Sequence, residues 1–154
     1  MIMRRHPLLD GVMRAITHLG DAAVTIGISL IALTGILPGG RAAGLRAALT
    51  LAISHGLVQL LKRIVSRPRP SLPVGLGFLI VPPDRFSFPS GHATSSLAVV
   101  LPFAFATGGV IALLLVVLAL IVGLSRCYLG VHYPGDVVMG WILAVGTFGL
   151  VLYS

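Results

Sequence analysis

Between Ala93 and Ser125 the chain runs for 33 residues without one charged side chain. As a single helix rising 1.5 Å per residue, that run would reach about 50 Å, well beyond a hydrocarbon core of about 30 Å. It must therefore turn back, and Gly108-Gly109 is the break it contains. The expectation is two short apolar helices, residues 91–107 and 110–127, closed into a tight hairpin. A hairpin this apolar needs a cover of lipid or of other apolar segments. With 56% of the 154 residues hydrophobic and only 10% charged, the chain has no polar exterior to supply, so the cover is lipid.

The remaining segments follow the same logic. Residues 22–40 carry no charge and read as a first membrane span, ended by the Pro38-Gly39-Gly40 turn signal. A second span is expected from Ala43 to Ile64, with Arg46 near its start and Lys62 and Arg63 near its end. From Val65 to Pro89, Pro68, Pro70, Pro73, Pro82, Pro83 and Pro89 mark a loop. A last helix runs from Pro134, a residue suited to a first helical position, to Tyr153. At the N-terminus, Arg4 and Arg5 are followed by no continuous apolar run before Asp10 and Arg14, so a cleavable signal peptide is not expected. Instead Leu8, Leu9, Val12, Met13, Ile16 and Leu19 recur at helical spacing, as in a short interfacial helix. The fold class is all-α, a polytopic membrane protein of about five transmembrane helices plus that N-terminal helix, in one domain over residues 1–154. No repeat, low-complexity segment or signal for an oligomeric state is present.

Eleven Lys and Arg stand against four acids, a net charge of +7. In a lipid setting this points to anionic headgroups or phosphate substrates, and no polar face remains on which nucleic acid could bind. The single cysteine, Cys127, excludes an intramolecular disulfide and suits an inert helix end.

Five spans put four helix ends on one face: the end of the second, the start of the third, the end of the fourth and the start of the fifth. Those ends carry nearly all the polar residues, in LKRIVSRPRP (61–70), FPSGH (88–92), Ser125-Arg126 and HYPGD (132–136). Placing them there avoids the cost of about 2.5–3.5 kcal/mol for each charge at mid-bilayer. Snorkelling anchors would explain the cations alone, but not two histidines, an aspartate and a Pro-Ser-Gly-His turn beside them. Lys62, Arg69 and Arg126 converging without acids call for a polyanion such as phosphate. Ser90 and Gly91, at the start of the third helix, would add backbone N–H groups and the positive end of the helix dipole. His132 offers a nucleophilic nitrogen, and Asp136, four residues on, could hold the other ring nitrogen protonated. His92 could protonate the leaving oxygen. Together these make a site for phosphomonoester or pyrophosphate hydrolysis with no metal and no cofactor.

The spacing of these groups resembles the type 2 phosphatidic acid phosphatase (PAP2) superfamily. Its Lys-x6-Arg-Pro motif corresponds to Lys62 through Arg69-Pro70, its Pro-Ser-Gly-His motif to residues 89–92, and its Ser-Arg-x5-His-x3-Asp motif to Ser125, Arg126, His132 and Asp136. The resemblance covers residues 43–153 and implies a membrane lipid phosphatase. It makes His132 the nucleophile of a phosphohistidine, Asp136 its orienting partner and His92 the general acid. Lys62, Arg69, Ser90, Gly91 and Arg126 would bind phosphate. Five spans depart from the six of the larger members.

Two other classes compete. His92, His132 and Asp136 are a ligand set that suits non-haem iron, yet three neighbouring cations would repel a divalent ion. A non-enzymatic lipid carrier would need the basic cluster but not the three intact motifs. His55, inside the second span, belongs to no motif and reads as a hydrogen-bonded packing residue; His6 and His18 read as interfacial, as do Tyr128, Tyr133, Trp141 and Tyr153. Arg63, Arg67 and Arg85 suit either a second phosphate or solvent. The expected partners are the bilayer and a lipid phosphate, chosen by the helix surfaces and the apolar 71–88 loop. Undecaprenyl pyrophosphate comes first among candidates that include phosphatidylglycerophosphate, phosphatidic acid, a lipid A phosphate and a prenyl-linked sugar phosphate. The location is the inner membrane. The resemblance implies an outward-facing site, whereas nine basic residues on the site's face against two, Arg41 and Arg46, on the other would by the positive-inside rule face it to the cytosol.

Overall fold

The computed structural model describes residues 6–71, 79–82 and 84–154; part of the 71–88 loop, Arg4 and Arg5 lie outside the described residues. The described chain is helical, in the order α1 (Pro7–Thr17), a 3-10 turn (His18–Gly20), α2 (Ala22–Leu33), α3 (Gly40–Val65), α4 (Gly91–Thr107), α5 (Gly109–Tyr128) and α6 (Pro134–Tyr153). α4 is the centre of the bundle and packs against α2, α3, α5 and α6, while α1 lies against α5.

The hairpin forms at the predicted break. Gly108 and Gly109 adopt φ of +63° and +55°, a region in which side chains are strained, so α4 ends and α5 begins across two glycines. α6 starts at Pro134, and the Asp136 carboxylate accepts the Tyr133 N–H at 2.8 Å to cap it. The first span differs from expectation. α2 stops at Leu33 rather than residue 40, because Gly35 turns the chain with φ of +85° while Pro38-Gly39 leads into α3. Twelve residues of α2 are too short to cross alone, and α1 continues it after a 49° bend. Three helices, α3, α5 and α6, are long and apolar enough to cross a membrane; the bent pair makes up to a fourth, and α4 is a shorter apolar helix of 17 residues.

Packing differs from that of a water-soluble bundle. The interior mixes Leu51, Val58, Leu97 and Phe103 with many small side chains such as Ala32, Ala43, Ala47, Ala98, Ala119 and Ala144, and Thr25, Ser29, Thr50 and Ser54 lie among them. Bulky Val110, Ile111, Leu113, Leu114, Ile142 and Leu150 point outward. In lipid the bulky side chains gain nothing by burial, so helices associate where small residues allow their backbones to approach. Gly44 lies against the Ala32 carbonyl, joining α2 to α3. At Gly140 an added Cβ would sit 2.8 Å from the Ser90 carbonyl, which is how closely α6 meets the start of α4. Gly123 receives the Trp141 indole, with its ring atoms 2.7 Å from such a Cβ, so Trp141 packs within the bundle instead of anchoring at an interface as expected.

Candidate active site

The polar ends of α3 to α6 meet, through hydrogen bonds that tie the three motif segments together. After α3, residues 67–70 run antiparallel to 84–87, with a bridge between Pro68 and Phe86. Ser87 N–H donates to the Arg67 carbonyl at 2.9 Å and its hydroxyl to the Pro68 carbonyl at 3.0 Å. Ser90 N–H donates to the Asp136 carbonyl at 2.9 Å, joining the starts of α4 and α6. This corrects the expectation for Ser90: its N–H is already used within the protein, and its Oγ accepts the Ala93 N–H as helix cap at 3.4 Å. The Ser90 hydroxyl proton and the Gly91 and His92 N–H groups are the donors left at this helix start among the described residues.

His132 is 3% exposed and lies in the turn between α5 and α6. Its Nδ1 is 2.6 Å from the Ser87 carbonyl oxygen, which can only accept, so Nδ1 carries the ring proton and Nε2 presents a lone pair. Nε2 lies 3.4 Å from Arg69 Nη1. The orienting partner therefore differs from the one expected. Asp136 Oδ2 is 3.7 Å from Nδ1, close enough for charge but too far for a hydrogen bond. Asp136 instead accepts from Tyr133 N–H and, at 3.0 Å, from Arg67, whose guanidinium also stacks 4.2 Å over the Tyr133 ring. Burial lowers the His132 pKa below its ordinary 6.5; Asp136 opposes this, and the charges of Arg126, Arg69 and Lys62 lower it further. The ring is thus neutral at neutral pH.

The three cations are held differently. Lys62 Nζ donates to Asp84 Oδ2 at 2.7 Å and to the Phe86 carbonyl at 3.2 Å. Arg69 donates to Asp84 Oδ1 at 2.9 Å, to the Asp84 carbonyl at 2.8 Å and to the Val131 carbonyl at 2.8 Å. Burial alone would raise the Asp84 carboxyl, but the hydrogen bond and charge of Lys62, the charge of Arg69 and the Phe86 N–H together hold it below the usual carboxylate range. Arg126 is 1% exposed and gives one N–H to Thr17 Oγ1 at 2.7 Å, while Nε and Nη2 have no partner among the described residues. A buried guanidinium with unspent donors is a strong attractor for an oxyanion.

His92 Nε2 lies 2.7 Å from Asp21 Oδ1, and the other Asp21 oxygen lies 2.8 Å from His18 Nδ1. His18 is thus paired as well as exposed. The histidines and carboxylate of the iron alternative have different partners: His92 has Asp21, His132 has Ser87, and Asp136 has Arg67. Of the undecided residues, Arg67 belongs to the site's frame, whereas Arg63 and Arg85 are exposed. Sequence reasoning missed Thr17, Asp21, Asp84 and Ser87. Its one available signal was scarcity: of four acids in so apolar a chain, three lie at the site, and the fourth, Asp10, accepts from the Tyr128 hydroxyl at 2.6 Å.

Residues 43–154 match the PAP2 superfamily. The chain is 39% identical over 143 residues to decaprenylphosphoryl-5-phosphoribose phosphatase of Mycobacterium tuberculosis, covering 92% of this chain and 77% of that one. Among solved structures it superposes on LpxE of Aquifex aeolicus with a TM-score of 0.85 and 25% identity, covering 98% and 89% of the two chains. It also superposes on a PAP2-type phosphatidylglycerolphosphate phosphatase from Bacillus subtilis with a TM-score of 0.78 and 30% identity, covering 98% and 78%.

Proposed function

The chain belongs to the PAP2 superfamily and is a lipid phosphatase, and from that premise we propose that it removes the terminal phosphate of a polyprenyl carrier lipid through a phosphohistidine, without a metal. The observation that carries this reading is the His132 tautomer: with Nδ1 tied to the Ser87 carbonyl, Nε2 faces Arg69 as a nucleophile. Nε2 attacks phosphorus in line as the bond from phosphorus to the lipid oxygen breaks, and His92 delivers its proton to that oxygen. Arg126, Arg69 and Lys62, with the Gly91 N–H and the Ser90 hydroxyl, stabilise the phosphoryl oxygens. Water, deprotonated by His92, then displaces His132 and releases phosphate. Asp21 positions His92, and Asp136 stabilises the charged imidazole of the intermediate from 3.7 Å.

The polyprenyl assignment is supported by the decaprenyl relative, and undecaprenyl pyrophosphate remains the first test substrate. Phosphatidylglycerophosphate is the second reading, supported by the 30% identical Bacillus subtilis structure. In this reading the chain crosses the inner membrane five times, with the bent α1–α2 pair counted as one span, and the site faces outward. Rapid quench with labelled substrate tests the chemistry: an acid-labile, base-stable phosphoenzyme forms in the wild type and is absent from His132→Ala. Full activity in that variant would overturn the assignment. For the orientation, an impermeant thiol reagent should label exposed Arg85→Cys, in a Cys127→Ser background, in intact cells. Labelling only after lysis would reverse it.

A further inference from the structure

A cavity of about 600 Å³ opens from the site and descends between α2 and α3. Its upper end is bounded by Lys62, Asp84, His92 and His132, and its far end by apolar Leu30, Ala48 and Leu51. Between the two, four polar side chains interrupt an otherwise apolar wall that includes Ile26, Ala52 and Val58. Gln59 and His55 line it on α3, Thr25 and Ser29 on the antiparallel α2. At 1.5 Å per residue, Gln59 lies about 4.5 Å and His55 about 10 Å along the axis from Lys62, while Ala48 is about 21 Å away. A lipid whose phosphate sits among the cations passes these polar groups on its way down the cavity.

An exposed polar pair within a membrane span has a cost that apolar residues would avoid, so it marks a function. Gln59 Nε2 donates to His55 Nε2 at 3.1 Å. The ring proton is then on Nδ1, and the pair keeps a ring N–H, a second amide N–H and an amide carbonyl without further partners among the described residues. Turning the amide round exchanges which atoms are used but leaves unspent donors and acceptors alike. Across the cavity, the Thr25 and Ser29 protons are given to backbone carbonyls of α2, so these hydroxyls offer acceptors only. A second phosphate would use donors alone, and a hydrocarbon neither. A hydroxyl group uses both.

We propose that His55 and Gln59 form a subsite for a hydroxyl-bearing unit, a sugar or a glycerol, placed between the scissile phosphate and the hydrocarbon chain. The subsite rests on the lipid phosphatase reading and revises the order of substrates given with it, moving undecaprenyl pyrophosphate behind the hydroxylated lipids. In that lipid only the inner phosphate separates the scissile phosphate from hydrocarbon, so His55 and Gln59 would meet no hydroxyl.

The test compares four lipids in detergent micelles with the full chain. A polyprenylphosphoryl-pentose 5-phosphate and phosphatidylglycerophosphate carry free hydroxyls beside the scissile phosphate; a polyprenyl diphosphate and phosphatidic acid do not. Wild type should show the higher kcat/KM on one or both hydroxylated lipids. In His55→Leu/Gln59→Leu the ratio of kcat/KM, hydroxylated over non-hydroxylated, should fall about tenfold to a hundredfold, the scale of two lost hydrogen bonds. His55→Gln, which keeps hydrogen-bonding capacity, should retain most of it. Whichever hydroxylated lipid loses the advantage identifies the unit as sugar or glycerol. An unchanged ratio overturns the subsite while leaving the phosphatase reading intact. Failure of wild type to cleave any of the four overturns both.

Discussion

Asp21→Asn isolates the part of the site that no motif contains. The substitution keeps the shape of the side chain and removes the charge beside His92, whose Nε2 is 2.7 Å from the carboxylate. Two unit charges about 4 Å apart interact by about 1 kcal/mol in bulk water and about 4 kcal/mol near a protein surface. The Asp21 side chain is 39% exposed, so solvent screens it and the lower part of that range applies, about 1–2 kcal/mol. The expected loss in kcat is therefore roughly 5- to 30-fold. Its ceiling is the contribution of the general acid itself, about 10²- to 10⁴-fold for His92→Ala. Two further results follow if Asp21 acts through His92. The loss should be larger for a monoester, whose alkoxide needs the proton, than for a diphosphate, whose phosphate leaving group does not. Added to His92→Ala, Asp21→Asn should cost nothing more. Steady-state kinetics on both substrates with the two single variants and the double variant form the assay. Equal losses on both substrates, or additive losses in the double variant, would refute the argument.

His132 should titrate below 6.5 in the ligand-free protein, staying neutral above its depressed pKa and charging only as pH falls through it. Nitrogen NMR on histidine-labelled protein, assigned against His132→Ala, reads this directly, and a midpoint at or above 6.5 contradicts it. Gly44→Val, which drives a side chain into the Ala32 carbonyl, should destabilise the bundle by about 1–3 kcal/mol, whereas Gly27→Ala on α2, where a Cβ meets nothing within 4 Å, should be neutral or mildly stabilising. Thermal unfolding in detergent separates the two, and equal shifts would remove the close approach of α2 and α3 as the cause. Turnover should survive excess chelator and be inhibited by vanadate, which mimics five-coordinate phosphorus; loss of activity on chelation would restore the metal alternative.

What could be read beforehand was local. The Gly108-Gly109 break, Pro134 at a helix start and the spacing of the three motifs each lie within a few residues of chain, and the structure places all three motif segments together. What escaped was either distant in sequence or without a side-chain signature. Asp21 reaches a histidine 71 positions away, with two whole helices, α2 and α3, between them in sequence. The group that sets the His132 tautomer is a backbone carbonyl, which any residue at position 87 would present. A helix start marks Ser90 as a donor, yet its N–H is taken by a carbonyl on α6. Residue type alone points Trp141 to an interface, while the space that accepts it is made by Gly123 on another helix.

Asp84 has a consequence for turnover. By bridging Lys62 and Arg69 at 2.7 and 2.9 Å, it supplies the cations with an anion of the protein's own. Inorganic phosphate, the product left after the second step, must compete with that carboxylate to remain, so the enzyme carries a built-in displacer that limits inhibition by its own product. Asp84→Asn should retain phosphate more tightly, with a lower inhibition constant and slower recycling. If product inhibition is unchanged in that variant, the carboxylate only braces the two side chains. Otherwise, a residue that weakens the site's hold on an anion is one that keeps it cycling.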